Sequence, residues 1–122
     1  MPVLKVAGLE KPIAIESIVW IEADGNYARL HFTAGQFYLA SQTLNWFEGQ
    51  WPGSIRIHKS VLVNPAHVLR FVQTQAKEAQ VMLTTGKVLP IARRRIEGVR
   101  HQLGMPAYKA NSFQLQLARP YP

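Results

Sequence analysis

The sequence alternates between short apolar–polar runs and groups of turn-forming residues along most of its length. In residues 27–32, for example, Ala28, Leu30 and Phe32 fall on one predicted face, with Tyr27 and other residues on the opposite face. A period of two over four to six residues is typical of a half-buried β-strand. Turn signals such as residues 24–26 and 34–36 separate these runs. The pattern therefore predicts a mainly β fold of many short strands.

Two segments depart from this period and predict short helices. Ser41 or Thr43 is placed to cap a central helix that ends at Gly49. A second helix is predicted near residues 93–103, where apolar residues recur at helical spacing. We expect residues 1–103 to form the domain and residues 104–122 to form a C-terminal extension, in which residues 112–117 add an edge strand.

The composition excludes several classes of protein. A chain of 122 residues has the size of one domain, and its 48% hydrophobic content is enough to bury a core. Cysteine is absent, which excludes disulfides, thiol catalysis and thiolate metal sites. The first residues lack a secretory signal, and the apolar runs are far shorter than the roughly 20 residues of a membrane span. We therefore expect a cytoplasmic protein that does not act at a membrane.

The positive charge is concentrated in the second half of the chain. The whole chain carries a formal net charge of +7. Residues 1–52 hold three basic and five acidic side chains, whereas residues 53–122 hold eleven basic and two acidic ones. A cationic region on a compact domain attracts polyanions, so nucleic acid is the leading partner class, against the alternative of a solvated basic face.

Motifs for catalysis and for cofactor binding are missing. The sequence contains no G-x-S-x-G nucleophile turn, no phosphate-binding glycine loop and no pair of histidines at metal-binding spacing. Its few carboxylates lie mostly in the first half, with no evident acid–base partner. We expect no enzymatic activity, no cofactor and no metal.

Three polar clusters fall at predicted turns or strand ends, where a β framework presents side chains outward. They are Asp24-Gly25-Asn26-Tyr27 with Arg29, then Arg56-Ile57-His58-Lys59-Ser60, then Pro90-Ile91-Ala92-Arg93-Arg94-Arg95. With their flanking residues, and in this order over roughly residues 5–103, the three clusters resemble the LytTR-type DNA-binding domain, the output domain of many bacterial response regulators. The middle cluster is the most distinctive. One departure is Ala92, where that family often has serine.

The resemblance implies an elongated β fold that lays loops into the major groove of duplex DNA. By position, it assigns base and backbone contacts to Asn26 or Tyr27, to Lys59 and to Arg94, with supporting contacts from the residues beside them. The full set of candidate DNA-binding residues is Asn26, Tyr27, Arg29, Arg56, His58, Lys59, Arg93, Arg94 and Arg95.

The chemistry of these side chains fits the assigned roles. The guanidinium of Arg94 can bond guanine O6 and N7 together, and the amine of Lys59 can donate to a base or a phosphate. We expect Arg56, Arg93 and Arg95 to hold phosphates, which fixes register without selecting sequence.

Some candidates also have a purely structural interpretation. Tyr27 suits a half-buried strand position, and Asn26 suits a turn position with positive φ. His58 suits a hydrogen bond to the backbone within the fold. The residues alone leave both interpretations open.

The resulting prediction is a transcriptional regulator that binds specific duplex DNA, with two copies on repeated half-sites and a sensor kinase or receiver as partner. One alternative is a β domain that binds single-stranded nucleic acid through exposed aromatic residues, namely Phe37, Tyr38 or Trp46. Another alternative is a protein-interaction module that uses the edge strand at residues 112–117.

Overall fold

The computed structural model describes residues 2–109 and the backbone of residues 114–117. Within this part, the strands are β1 (Val3–Leu4), β2 (Ile13–Ala14), β3 (Ile18–Asp24), β4 (Tyr27–Phe32), β5 (Phe37–Ala40), β6 (Ile55–His58), β7 (Val61–Val63), β8 (Val68–Gln75), β9 (Glu78–Leu83), β10 (Val88–Ile91) and β11 (Gln114–Leu117). The helices are α1 (Leu44–Gln50) and α2 (Ile96–Gln102), with 3₁₀ turns at Ile15–Ser17, Pro65–His67 and Arg93–Arg95. The predicted mainly β fold with two short helices is confirmed.

The strands pair only antiparallel in the described part of the chain. One sheet has the order β5-β4-β3-β7-β6 and another has the order β10-β9-β8-β11, while β1 and β2 form a separate pair. The backbone of β11 pairs with β8 at the edge of the four-stranded sheet, with Leu115 opposite Val72. Residues 112 and 113 of the predicted edge strand lie outside the described residues.

Two apolar cores hold these layers together. One core packs α1 against the five-stranded sheet; its largest fully buried members are Phe47, Ile18, Ile21, Leu30 and Leu62. The other core joins the second sheet and α2 to β6; its largest fully buried members are Phe71, Ile57, Leu83 and Ile96. β6 contributes to both sides, because its apolar residues enter the second core while Arg56 faces α1.

Local chemistry explains where several elements begin and end. The Thr43 side chain accepts a hydrogen bond from the Trp46 backbone N–H and caps α1, which ends at Gln50, one residue beyond the expected Gly49. The second predicted helix begins as a 3₁₀ turn, and its α-helical part starts only at Ile96. Gly104, with φ at 70°, follows α2 as the usual left-handed residue after a helix.

A buried polar network links α2 to β8. Arg100 is only 5% exposed, and its guanidinium donates to the Gln73 side-chain oxygen and to Glu97. The Gln73 amide in turn donates to the backbone oxygens of Gln75, the last residue of β8, and of Ala76 in the turn that follows. Arg100 is therefore a structural cation, and its charge is not presented to a ligand.

Candidate nucleic-acid interface

Backbone hydrogen bonds bring the three polar clusters of the sequence to one end of the five-stranded sheet. β3 and β7 pair with Glu22 opposite Val61, and the Ala23 N–H donates to the Ser60 carbonyl at 2.8 Å. The β3–β4 turn therefore lies beside the β6–β7 turn. On the other side, the Ala92 N–H donates to the Ile57 carbonyl at 2.8 Å, which places the chain after β10 next to the end of β6. We call residues 25–26, 59–60 and 93–95, together with the residues that directly flank them, the loop surface.

The first turn of the loop surface is a two-residue hairpin loop between Asp24 and Tyr27. Gly25 has φ at 61°, and among the described residues only glycines have positive φ. The interpretation of Asn26 as the positive-φ residue is therefore wrong, because Gly25 takes that role at the first loop position. Asn26 is exposed, and Tyr27 is 51% exposed, so neither side chain is used by the core.

Arg29 is part of an ion-pair network on the outer face of β4. Its guanidinium lies 2.6 Å from the Asp24 carboxylate and 3.7 Å from the Glu22 carboxylate. Glu22 also lies 2.9 Å from His31 Nε2, and the Arg29 guanidinium stacks 5.0 Å over the Phe37 ring. The network holds Arg29 to the hairpin and offsets its charge.

Arg56 is the most engaged of the candidate cations. Its side chain is 12% exposed and lies 2.6 Å from the Glu48 carboxylate of α1. The same guanidinium donates to Asn45 Oδ1 at 3.0 Å, to the His58 carbonyl at 2.9 Å and to the Lys59 carbonyl. Arg56 thereby ties the β6–β7 turn to α1, and it holds the backbone of Lys59 while the Lys59 side chain is exposed.

His58 is oriented by its neighbour in the same turn. The Ser60 N–H donates to His58 Nδ1 at 3.2 Å, and Ser60 Oγ lies 2.8 Å from the same nitrogen. Because Nδ1 accepts a backbone N–H, the neutral ring carries its proton on Nε2. The described residues offer no partner to Nε2, so this N–H is available as a donor beside Lys59.

The third part of the loop surface is the 3₁₀ turn at Arg93–Arg95. Arg93 and Arg94 are exposed, and neither makes an ion pair with a described residue. Arg94 and Arg95 line a shallow cleft together with Arg56 and Glu48. Arg95 is half-buried, and its Nε has no hydrogen-bond partner within the described part of the chain.

The pairing pattern divides the candidate cations into two groups. Arg29 and Arg56 are held by three acidic residues, Asp24, Glu22 and Glu48. The side chains of Lys59, Arg93, Arg94 and Arg95 make no ion pair with any residue that the structure describes, and the first three of them are exposed. The charge of these three is thus left for an external anion.

The aromatic residues named for single-strand binding do not form one platform. Phe37 is 57% exposed, but the cation above it is the neutralised Arg29. The Tyr38 hydroxyl donates to the Ala7 carbonyl at 3.2 Å, and Trp46 packs edge-on against Phe47 with centroids 4.9 Å apart. A continuous stacking surface on the basic loops is therefore absent from the described residues.

Two further features of the described residues bear on the class of protein. Among residues 2–109 and 114–117, no group of three or more His, Asp or Glu side chains is arranged to hold a metal ion. No helix in the same part of the chain is long and apolar enough to cross a membrane.

Sequence reasoning missed the two networks that hold the loops. The Arg29 network follows from hairpin register, because a two-residue loop after Asp24 puts Glu22 opposite Arg29. The Arg56 network joins residues from α1 and β6 that are 8 and 11 positions apart. No local pattern in the sequence signals it, because it depends on how the helix packs on the sheet.

Comparisons with known proteins agree with this geometry. The model of the LytTr DNA-binding domain family matches residues 10–104. The fold matches a solved LytTr DNA-binding domain of a putative methyl-accepting/DNA response regulator from Bacillus cereus, with a TM-score of 0.70, 19% identity, and coverage of 85% of this chain and 96% of that one. A curated relative is the CO-responsive transcriptional regulator RcoM of Rhodospirillum rubrum, 29% identical over 90 residues, which are 72% of this chain and 38% of the relative. The family match covers most of the sequence and includes all three loops, and the chain therefore belongs to the LytTR family of DNA-binding domains.

Proposed function

We propose that the chain is a transcriptional regulator that recognises a specific duplex sequence by placing its loop surface in the major groove. The observation that carries this proposal is the position of Lys59 and Arg94. They lie on adjacent loops, exposed and without ion pairs among the described residues, although they are far apart in the sequence. No catalytic step, cofactor or metal takes part.

Each exposed side chain has a distinct role in this proposal. Arg94 donates to guanine O6 and N7 together, a pair of acceptors that the planar guanidinium fork matches. Lys59 and the Nε2–H of His58 donate to a base edge or a phosphate next to it. Asn26 and Tyr27 contact the neighbouring base pairs or phosphates, and Arg93 binds a phosphate.

The remaining candidates act on the edge of the interface or behind it. Arg95 borders the same cleft as Arg94 and binds a phosphate with the half of its side chain that is exposed. Arg29 and Arg56 hold the loops in position, because their guanidinium groups are engaged by the protein itself. This assignment differs from the expectation that Arg56 clamps a phosphate.

The size of the domain and its relatives support proposals about how many copies bind DNA and what controls them. One small domain has limited contact area, so we propose that two copies occupy repeated half-sites. RcoM is named as responsive to CO and the Bacillus cereus protein as a response regulator. We infer that control of this domain also comes from a sensor kinase or a receiver, and that it acts on DNA in the cytoplasm.

The experiment begins with selection of bound duplexes from a random pool at moderate salt. Arg94→Ala is expected to lose about 1–3 kcal/mol on the selected duplex and to relax preference at one position. Arg95→Ala is expected to weaken binding evenly and to reduce the slope of log K against log salt by roughly one. Equal losses for Arg94→Ala on selected and random duplexes would contradict its base-reading role.

A matched control separates these effects from a general loss of positive charge. Lys87 lies in the β9–β10 turn, 5.6 Å from the Trp20 ring and at the far end of the second sheet from Arg93. Lys87→Ala removes one charge, as Arg94→Ala does, but it is expected to leave sequence preference unchanged.

A further inference from the structure

The outer edge of β5 is an open edge of the five-stranded sheet in the described part of the chain. Two apolar side chains, Phe37 at 57% and Leu39 at 43%, are exposed on the same face of this strand. Together with Tyr27 on β4, they account for three of the six large apolar side chains that are exposed among the described residues. The exposed apolar surface is thus concentrated at one edge of the sheet.

The backbone of β5 also offers unused hydrogen-bonding groups. The Phe32 N–H donates to the Gln36 carbonyl at 3.0 Å, so this pair is hydrogen-bonded. Bonded and non-bonded pairs alternate in an antiparallel ladder, so Tyr38 bonds to β4 and its neighbours do not. The N–H and C=O groups of Phe37 and Leu39 therefore point away from β4, towards the open edge.

Two other edges of the main sheets, those of β10 and β6, are protected. β10 carries Pro90, which has no N–H to donate to a further strand. The outer side of β6 is occupied by the Ala92 N–H, which donates to the Ile57 carbonyl. β5 contains no proline, lysine or bulge, the usual devices that prevent edge-to-edge pairing.

We propose that β5 is a self-association edge, where a second copy of this chain adds its own β5 antiparallel. A two-fold axis at Tyr38 places Phe37 opposite Leu39 of the second copy, and Leu39 opposite Phe37 of the second copy. Every outward backbone group then has a partner, and the exposed apolar side chains cover one another. This register is self-complementary, as a two-fold interface requires.

The charges near β5 favour a second copy over a partner of opposite charge. Arg29 and Glu22, the charged residues on the same face, are paired with each other, and Arg29 is also paired with Asp24. The patch therefore has no unpaired charge that calls for a complementary surface. The contact area is small, with two exposed apolar side chains from each copy, and it falls below the roughly 1,200 Å² of a stable interface. We expect a weak dimer that forms at high protein concentration.

The two-fold axis has a consequence for DNA, and this step alone rests on the proposed function. Ala40, the last residue of β5, pairs with Ala28 beside the β3–β4 turn. Antiparallel pairing of two β5 strands consequently turns the two loop surfaces to opposite ends of the joined sheet. A dimer of this kind holds two duplexes, or two distant sites, and does not place both copies on adjacent half-sites of one straight duplex.

The absence of cysteine allows a direct test of the register without DNA. Phe37→Cys and Leu39→Cys variants, carrying different mass tags, are mixed and mildly oxidised. Opposite residues of a bonded pair have Cα atoms about 5.5 Å apart, within disulfide reach, whereas the diagonal 37–37 and 39–39 pairs lie about 8 Å apart, beyond it. Random pairing would give the mixed disulfide and either symmetric product in a ratio of about two to one. We expect the mixed disulfide to exceed that ratio several-fold. A random distribution of the three products would overturn the proposal.

A second measurement uses charge at the edge. Leu39→Lys places lysine on β5, and Val88→Lys is the matched control on β10, where Val88 is 42% exposed on an edge that Pro90 protects. Wild type and Val88→Lys are expected to show a sedimentation coefficient that rises with concentration, while Leu39→Lys remains a monomer throughout. A wild type that stays monomeric up to millimolar concentration, or a Leu39→Lys variant that associates equally well, overturns the dimer.

A third measurement separates this proposal from the DNA-binding one. Two duplexes that carry different fluorophores are mixed with protein, and energy transfer between them is recorded. Wild type is expected to bring the duplexes together, and Leu39→Lys is expected to bind each duplex without joining them. Absence of DNA binding would contradict the proposed function and leave the disulfide and sedimentation results to judge the β5 edge.

Discussion

Replacing Arg56 by methionine separates a loop-holding role from a phosphate contact. The guanidinium of Arg56 donates to Asn45 and Glu48 on α1 and to the carbonyls of His58 and Lys59 in the β6–β7 turn. Methionine keeps a linear apolar stem of similar length and removes all of these donors. We expect Arg56→Met to destabilise the fold and to loosen the turn that presents Lys59.

The size of the effect follows from the burial of each contact. The Arg56 side chain is 12% exposed, so its two bonds to backbone carbonyls contribute about 1 kcal/mol each. Glu48 is 45% exposed, and solvent reduces that ion pair to about 0.5 kcal/mol. The free energy of unfolding is therefore expected to fall by about 2–3 kcal/mol. For a domain of 122 residues, the melting temperature falls by about 4 °C per kcal/mol.

Urea unfolding and the salt dependence of DNA binding test this together. Arg56→Met is expected to lower stability as calculated and to leave the slope of log K against log salt unchanged, because no phosphate contact is removed. The matched control is Arg93→Met, an exposed cation with no ion pair among the described residues. It is expected to leave stability within about 0.5 kcal/mol and to reduce the slope by roughly one. If Arg56→Met gave the behaviour expected of Arg93→Met, the loop-holding role would be refuted.

Two further substitutions probe the frame behind the loops. Gln73→Leu removes the oxygen that accepts from the buried Arg100 guanidinium. We expect the free energy of unfolding, measured in urea, to fall by about 2–3 kcal/mol. A fall of less than about 0.5 kcal/mol would show that Arg100 does not need this partner. Gly25→Ala places a side chain at φ 61° with no atom within 4 Å of its Cβ, so the expected cost is backbone strain alone, about 1–2 kcal/mol by thermal unfolding. Unchanged stability would mean that the hairpin adopts another turn.

Local patterns in the sequence predicted most of the strands, because their residues alternate between a core and an exposed face. The bounds of β4, β5, β6 and β10 agree with the alternation and with the turns at 25–26, 34–36 and 85–87. The turn between β8 and β9 was placed less well, since residues 76 and 77 are alanine and lysine and carry no turn signal. The alternation predicts strands over residues 68–73 and 80–84, and both strands extend two residues further towards that turn.

The sequence does not show which cations are paired within the protein and which are not. Arg29, Arg56, Arg94 and Arg100 have the same side chain, and all except Arg100 occur in or beside the polar clusters. What separates them is packing, because α1 brings Glu48 to Arg56 and β8 brings Gln73 to Arg100. A count of net charge therefore overstates the positive charge that is left for an external anion.

The distribution of ion pairs explains how a domain can keep acidic residues close to the surface that we propose binds DNA. Glu22, Asp24 and Glu48 lie on the elements that carry the loops, where unpaired carboxylates would repel phosphate. Each of these carboxylates is paired with Arg29 or Arg56, so its electrostatic field is largely offset within a few ångströms. The same arginines restrain the hairpin and the β6–β7 turn, which reduces the entropy lost when the loops bind. Glu48→Gln is therefore expected to weaken DNA binding through the freedom it gives to the β6–β7 turn, even though it removes a negative charge.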